Sequence, residues 1–326
     1  MRPAYVLASG LVLSLLGAAA ACSDSSSTAS SEVDAGTQTD APTTVTDSST
    51  DTSIADAGAD VEETPTVASE IEPNDGKTAT QIGTMVLPGT MNGVIDPVND
   101  TDIFAIKLSP GDFWDWTATP SSADLAPHVI VFDTAAGLNP NVVGFAGAGQ
   151  PAKLQHFVLR TGTFVVGMRD ARNVGADGGK GGPTYGYALT GKRGVAQPIA
   201  VTFPSTKSGK LASVGSVDLY TFTGTNGKGF DVEITAARKA VPSTLDSRLS
   251  IFDLTAKKAI ITNDNAAGTT DSQIGSPDPA PSTYMVIVEN EGKDGTDLSY
   301  DIAFTLRPRV RARQTSRSNC QDAQRR

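Results

Sequence analysis

The chain of 326 residues is long enough for two ordinary domains once flexible ends are set aside, and its formal net charge is −10. Residues 23–68 carry ten acids and no base, seven arginines crowd the end from Arg307, and residues 69–306 hold 25 acids against 18 bases. That mildly acidic middle argues against a nucleic-acid role. The two cysteines, Cys22 and Cys320, both lie outside the presumed folded region, so no disulfide staples it and its stability must come from core burial.

In chain order, Arg2, an apolar run from Tyr5 to Leu16 and the small residues Gly17 to Ala21 read as an export signal over 1–21. The run is short for a membrane span and an acidic polar stretch follows it. Cys22, directly after Ala19-Ala20-Ala21, resembles the cysteine of a bacterial lipobox, with alanine at Ala19 where leucine is usual. The resemblance implies lipidation of the Cys22 thiol; ordinary cleavage after Ala21 would instead leave that thiol free. Residues 22–68 are Ser, Thr, Asp and Ala with no aromatic and no cation, too little apolar surface to offset ordering entropy. They are expected to form a disordered stalk whose ends sit on the order of 40 Å apart.

Past Ser69 the texture changes to short alternating strands broken by Gly, Pro, Asn and Asp. Strands are predicted at Phe104 to Leu108, Phe113 to Ala118, Val129 to Phe132, Phe164 to Met168 and Tyr185 to Leu189. Brief strands between turn clusters, with no sustained helical period, predict an all-β sandwich or barrel.

The chain also resembles itself. Gly93, Asp102, Gly111 and Asp115 match Gly209, Asp218, Gly227 and Asp231 at one offset of 116. Val129 to Asp133 match Leu249 to Asp253 at 120, and Tyr185 to Thr190 match Tyr300 to Thr305 at 115. Two units follow, 69–193 and 198–307, with a short join between them and a basic tail over 308–326.

Glu70-Ile71-Glu72-Pro73-Asn74-Asp75, then Asp100-Thr101-Asp102-Ile103-Phe104, Gly162 to Val166 and Tyr187-Ala188-Leu189 resemble the bacterial pre-peptidase C-terminal domain, a family related to the collagen-binding domains of clostridial collagenases. The second unit resembles it more weakly, through Asp218 to Phe222 and Ser282 to Val286. The resemblance implies two tandem jelly-roll-like β-sandwich domains, accessory to secreted enzymes and used for binding or targeting. It also implies calcium near the amino-terminal edge, on positions matching Glu72, Asn74, Asp75, Asp100 and Asp102, with Glu70 beside them.

Read from the residues, these carboxylates and an amide supply the hard oxygens calcium wants, in one site of the first domain. The same segments are also good turns, and Asp102 can be a structural residue that bonds turn amides. The second unit keeps Asp218 but has no acid between Arg193 and Val217, so no matching site is expected there. Asn263-Asp264-Asn265 with Asp271 reads as a solvated hairpin turn. Trp114 and Trp116 align with Phe230 and Val232, which predicts core packing rather than a sugar platform. His128 and His156 are the only histidines, in no metal spacing, and no nucleophile elbow is present. Gly175 to Gly182 departs from a phosphate loop and leads into a strand. Arg307, Arg309, Arg311 and Arg313 alternate, either to meet an anionic lipid surface or as a solvated tail.

The expectation is a non-catalytic lipoprotein, exported and lipid-anchored in the bacterial cell envelope at the outer membrane or cell surface. It would present β-sandwich modules to extracellular protein or polysaccharide. The alternative is an accessory or chaperone-like partner of a secreted peptidase acting in trans.

Overall fold

The computed structural model describes residues 64–76, 79–133, 142–173, 179–225, 228–266, 268–276, 280–292 and 295–307. The export signal, Cys22, the stalk up to residue 63, Gly175 to Gly178, and the tail from 308 with Cys320 lie outside the described residues.

The first sandwich runs β1 (Thr66–Ser69), β2 (Gly83–Thr84), β3 (Gly89–Val94), β4 (Thr101–Leu108), β5 (Phe113–Pro120), β6 (Pro127–Asp133), β7 (Val142–Phe145), β8 (Ala152–Phe157), β9 (Gly162–Asp170) and β10 (Gly186–Arg193). The second runs β11 (Ile199–Ala200), β12 (Ser205–Lys210), β13 (Asp218–Thr223), β14 (Gly229–Thr235), β15 (Ser247–Asp253), β16 (Lys258–Asn263), β17 (Gln273–Ser276), β18 (Thr283–Asn290) and β19 (Ser299–Arg307). The period-two pattern explains the strands. In β4, Asp102, Phe104, Ile106 and Leu108 turn inward while the residues between them face out.

Sheets ordered β1-β3-β10-β5-β8 and β2-β4-β9-β6-β7 face each other in the first sandwich, and sheets ordered β12-β19-β14-β17 and β11-β13-β18-β15-β16 in the second. The two orders coincide strand for strand except that β1 has no counterpart. β1 joins β3 in parallel, from Thr66 opposite Gly89 to Ser69 opposite Asn92. The first sandwich therefore begins at Thr66, and Thr66-Val67-Ala68 are strand rather than stalk. All four side chains of β1 are exposed. Backbone pairing to a sheet edge recruits them, and composition does not register that.

Trp114 and Trp116 lie in the first core with Phe104, Phe164, Val166 and Leu189, and Phe230 and Val232 hold the same places in the second. Strand register corrects one alignment. Tyr187 stands opposite Gly93 and Tyr300 opposite Gly209, so Tyr300 corresponds to Tyr187, not Tyr185. A slip of two residues keeps every side chain on its face, which is why the pattern did not reveal it.

The sandwiches are fused along a third apolar cluster. Phe113, Phe157 and Leu159 of the first meet Leu219, Phe252, Met285 and Ile287 of the second. Phe157 and Phe252 meet edge to face at 5.2 Å, and the Gln155 amide donates to the Gly215 carbonyl at 2.7 Å. β15 is buried along its whole length and β18 nearly so, because their outer faces are covered too. The join is held as well: the Gly194 amide donates to the Phe113 carbonyl at 2.8 Å.

Candidate metal centre

Past Ser69 the pairing of β1 continues one step further, with the Glu70 amide donating to the Asn92 carbonyl at 2.9 Å. That contact carries the Glu70 carboxylate across the sheet edge. Its Oε1 accepts the Val94 amide at 2.6 Å, and its Oε2 accepts the Tyr187 hydroxyl at 3.1 Å and Asn74 Nδ2 at 3.2 Å. A Cβ at Gly93 would collide with both Glu70 Oε2 and the Tyr187 ring, so this approach needs glycine. The Asn74 amide donates to Glu72 Oε2 at 2.9 Å, and the Asn74 carbonyl accepts the Ile103 amide at 3.0 Å, docking the segment on β4.

β4 brings Asp102 to the same place from below. One oxygen from each of Glu70, Glu72 and Asp102 lies within 4.8 Å of the others. Asp102 is wholly buried, and neither of its oxygens meets a donor in good hydrogen-bond geometry among the described residues, the nearby Tyr187 hydroxyl being directed at Glu70; buried Asn74 Oδ1 has none either. Burial pushes the Asp102 carboxyl up to about 9; Glu70, Asp100 and Glu72 push the same way while the nearby Tyr187 hydroxyl opposes them. Glu72 is raised by burial and by Asp100, Glu70 and Asp75, against the Asn74 amide. Asp100 is raised by burial and by Asp75, although the amides of Thr101 and Asp96 pull it down.

Of the six residues singled out in the sequence, Glu70, Glu72, Asn74 and Asp102 thus converge, with Asp100 and Asp75 close enough to be felt as charges. The expectation that Asp102 bonds turn amides is not met, since a carboxylate on the inward face of β4 points away from the turn. Tyr187 and Gly93 belong to the site and were not singled out; the Tyr300 and Gly209 pair in the second unit was the available signal.

A buried carboxylate without donors is costly to ionise. Several hard oxygens and an uncommitted amide oxygen, with no nitrogen or sulfur ligand, are the donor set of calcium rather than zinc. The residues present fit that ion.

The second sandwich treats its aspartate differently. Asp218 Oδ2 accepts the Tyr300 hydroxyl at 2.6 Å, and the Tyr220 and Tyr300 hydroxyls are 2.9 Å apart. Tyr220 stands where the first sandwich has Phe104. Burial raises the Asp218 carboxyl, and the phenol bond opposes the rise.

The remaining candidates are structural. Asp271 is fully buried, accepts the Ala236 and Ala237 amides at 2.8 and 2.7 Å and Arg238 Nε at 2.6 Å. Despite burial, those bonds hold it below the usual carboxylate range. It anchors a loop and is no solvated hairpin residue. His128 Nδ1 accepts Arg169 Nε at 3.1 Å, and the corresponding positions of the second sandwich hold the buried pair Arg248 and Glu289, 2.9 Å apart. His156 is sealed against Phe164. Asn173 clamps Lys180 through its backbone amide and carbonyl, at 2.6 and 2.9 Å.

No family model and no curated protein matches the chain. Among solved structures, the pre-peptidase C-terminal domain of a Bacillus anthracis collagenase is similar at 13% identity and TM-score 0.28, over 33% of this chain and 95% of its own. PliG, a periplasmic inhibitor of g-type lysozyme from Aeromonas hydrophila, is similar at 17% identity and TM-score 0.27, over 34% and 96%.

Proposed function

We propose that the first sandwich is a calcium-clamped module of the pre-peptidase C-terminal type, and that the chain is a non-catalytic envelope lipoprotein. It would present its sandwiches to extracellular protein or polysaccharide from an anchor at Cys22. The observation that carries the calcium reading is Asp102: a carboxylate fully buried, without a donor, beside Glu70 and Glu72. Glu70, Glu72, Asn74 and Asp102 would hold the ion, which would supply the positive charge this cluster otherwise lacks. It would thereby tie the stalk's end to β4, fixing how the module is presented. The non-catalytic reading is supported by the two histidines, one bonded to an arginine and the other enclosed in the core.

The test is thermal unfolding of the full chain with calcium and with chelator. Calcium at about a hundred times its dissociation constant should add ~2.7 kcal/mol. Identical melting curves would end the calcium reading. Calcium-dependent retention on matrix-protein or glycan arrays, against no retention in either condition, decides the binding role. Loss of acyl labelling in Cys22→Ala checks the anchor.

A further inference from the structure

The end of the second sandwich carries a cleft of about 370 Å³. Its floor is Phe203, Phe222 and Phe230, with ring centroids 4.9 to 6.1 Å apart; Leu306, Thr225 and Lys228 stand at its edge. Register shows what stands at the equivalent place in the first sandwich. Trp114 pairs with Arg193 in the first, and Phe230 pairs with Leu306 in the second. In the first, the Arg193 guanidinium lies 5.1 Å over the Trp114 ring and is held there by Asp112 at 2.7 Å. In the second, the arginine has become Leu306 and the aspartate Lys228, so the ion pair that would plug the cleft is gone.

We propose that this cleft is a binding site for a small amphipathic carboxylate, an aryl or short acyl body with a single negative charge. The ligand would take the place that Arg193 takes in the first sandwich, with the charges reversed: apolar body over Phe230, carboxylate to the Lys228 ammonium. One lysine with a threonine hydroxyl suits a monoanion better than a phosphate, which calls for a bidentate or multiply charged partner. The volume is at the small end of ligand clefts, ~300 to 1,000 Å³, which limits the body to about a ring or a short chain. The site is independent of the calcium centre.

Isothermal titration of the full chain with 3-phenylpropionate, 3-phenylpropanol and 3-phenylpropylamine tests it. The carboxylate should bind at least ~10-fold tighter than the amine, a difference of about 1.4 kcal/mol. Lys228→Met, a change at an exposed position, should erase that preference. The double variant Lys228→Asp with Leu306→Arg, which writes in the first sandwich's plug, should abolish binding of the carboxylate. Equal binding of the three probes, or undiminished carboxylate binding by the double variant, overturns the proposal. So does binding seen only when the chain is ended at Arg307, because the cleft would then belong to the chain's own tail.

Discussion

Acid should loosen this protein through His156. Its ring is buried where the two sandwiches meet, edge-on to Phe164 at 5.7 Å, and neither ring nitrogen has a hydrogen-bond partner among the described residues. Burial lowers it from 6.5 to about 4; Glu289 of the second sandwich pulls it up and Arg248 pushes it further down. Between these two values the unfolded chain holds a proton that the folded chain refuses. Stability from this group is therefore complete above about pH 6.5 and is lost as pH falls toward 4. At about pH 4.5, some 2 units of the shift are expressed, close to 3 kcal/mol at about 1.4 kcal/mol per unit. In a folded region of this size that is a fall of about 5 to 10 °C in melting temperature. His156→Phe keeps a ring of similar shape but cannot titrate. Any packing penalty it carries is the same at every pH. The assay is urea unfolding of wild type and variant at about pH 7.5 and 4.5 with calcium fixed, so that the carboxylate terms cancel in the difference. Wild type should lose roughly 3 kcal/mol more than the variant across that interval. Equal losses in both would show that His156 is solvated or bonded in the folded protein.

Asp102→Asn should abolish the calcium-dependent rise in melting temperature. In chelator it should leave the protein more stable than wild type, by roughly 1 to 3 kcal/mol, since asparagine removes the cost of holding a buried carboxyl protonated at neutral pH; chelator-state melting curves check the sign. Tyr300→Phe strips Asp218 of its donor and should cost about 1.5 to 3 kcal/mol by urea unfolding, with no rescue by calcium. Trp116→Ala, at the centre of the first core, should cost roughly 3 to 5 kcal/mol, and wild-type tryptophan emission should be blue-shifted and poorly quenched by iodide.

The alternation of apolar residues made the strands legible, because one face of each sheet is buried and a period of two is what burial demands. The tryptophans were legible for a related reason: positions that accept Trp114 or Phe230, Trp116 or Val232, are filling volume. Half of the candidate metal centre could be read the same way, through Asp102 and its partner Asp218. What placed Glu70 beside Asp102 is β1, and β1 is held by backbone pairing with its side chains in water, which leaves no mark on hydrophobic pattern. The fusion of the sandwiches did leave a mark. Tyr284 to Val288 is apolar at consecutive positions, where a one-sided strand would alternate, and the second buried face belongs to Phe113, Phe157 and Leu159. In sequence alone, nothing distinguishes that run from an ordinary central strand.

The two sandwiches solve one electrostatic problem in two ways. Each places an aspartate at the start of the corresponding strand, Asp102 fully buried on β4 and Asp218 half-buried on β13, opposite a tyrosine that packs against a glycine. In the second, Tyr220 sets the Tyr300 hydroxyl on Asp218, and a hydrogen bond makes the charge tolerable. In the first, Phe104 has no hydroxyl, the Tyr187 hydroxyl donates to Glu70, and Asp102 feels that phenol nearby without a donor in good hydrogen-bond geometry. On the calcium reading proposed above, the choice between phenol and cation turns on one atom. Phe104→Tyr should place a hydroxyl beside Tyr187 as Tyr220 stands beside Tyr300, freeing Tyr187 to serve Asp102. Titration with calcium should then show at least ~10-fold weaker binding, together with a gain in stability in chelator of about 1 kcal/mol from the new hydrogen bond. If the variant binds calcium as wild type does, the phenol relay of the second sandwich is only packing, and the missing strand alone accounts for its lack of a cation site.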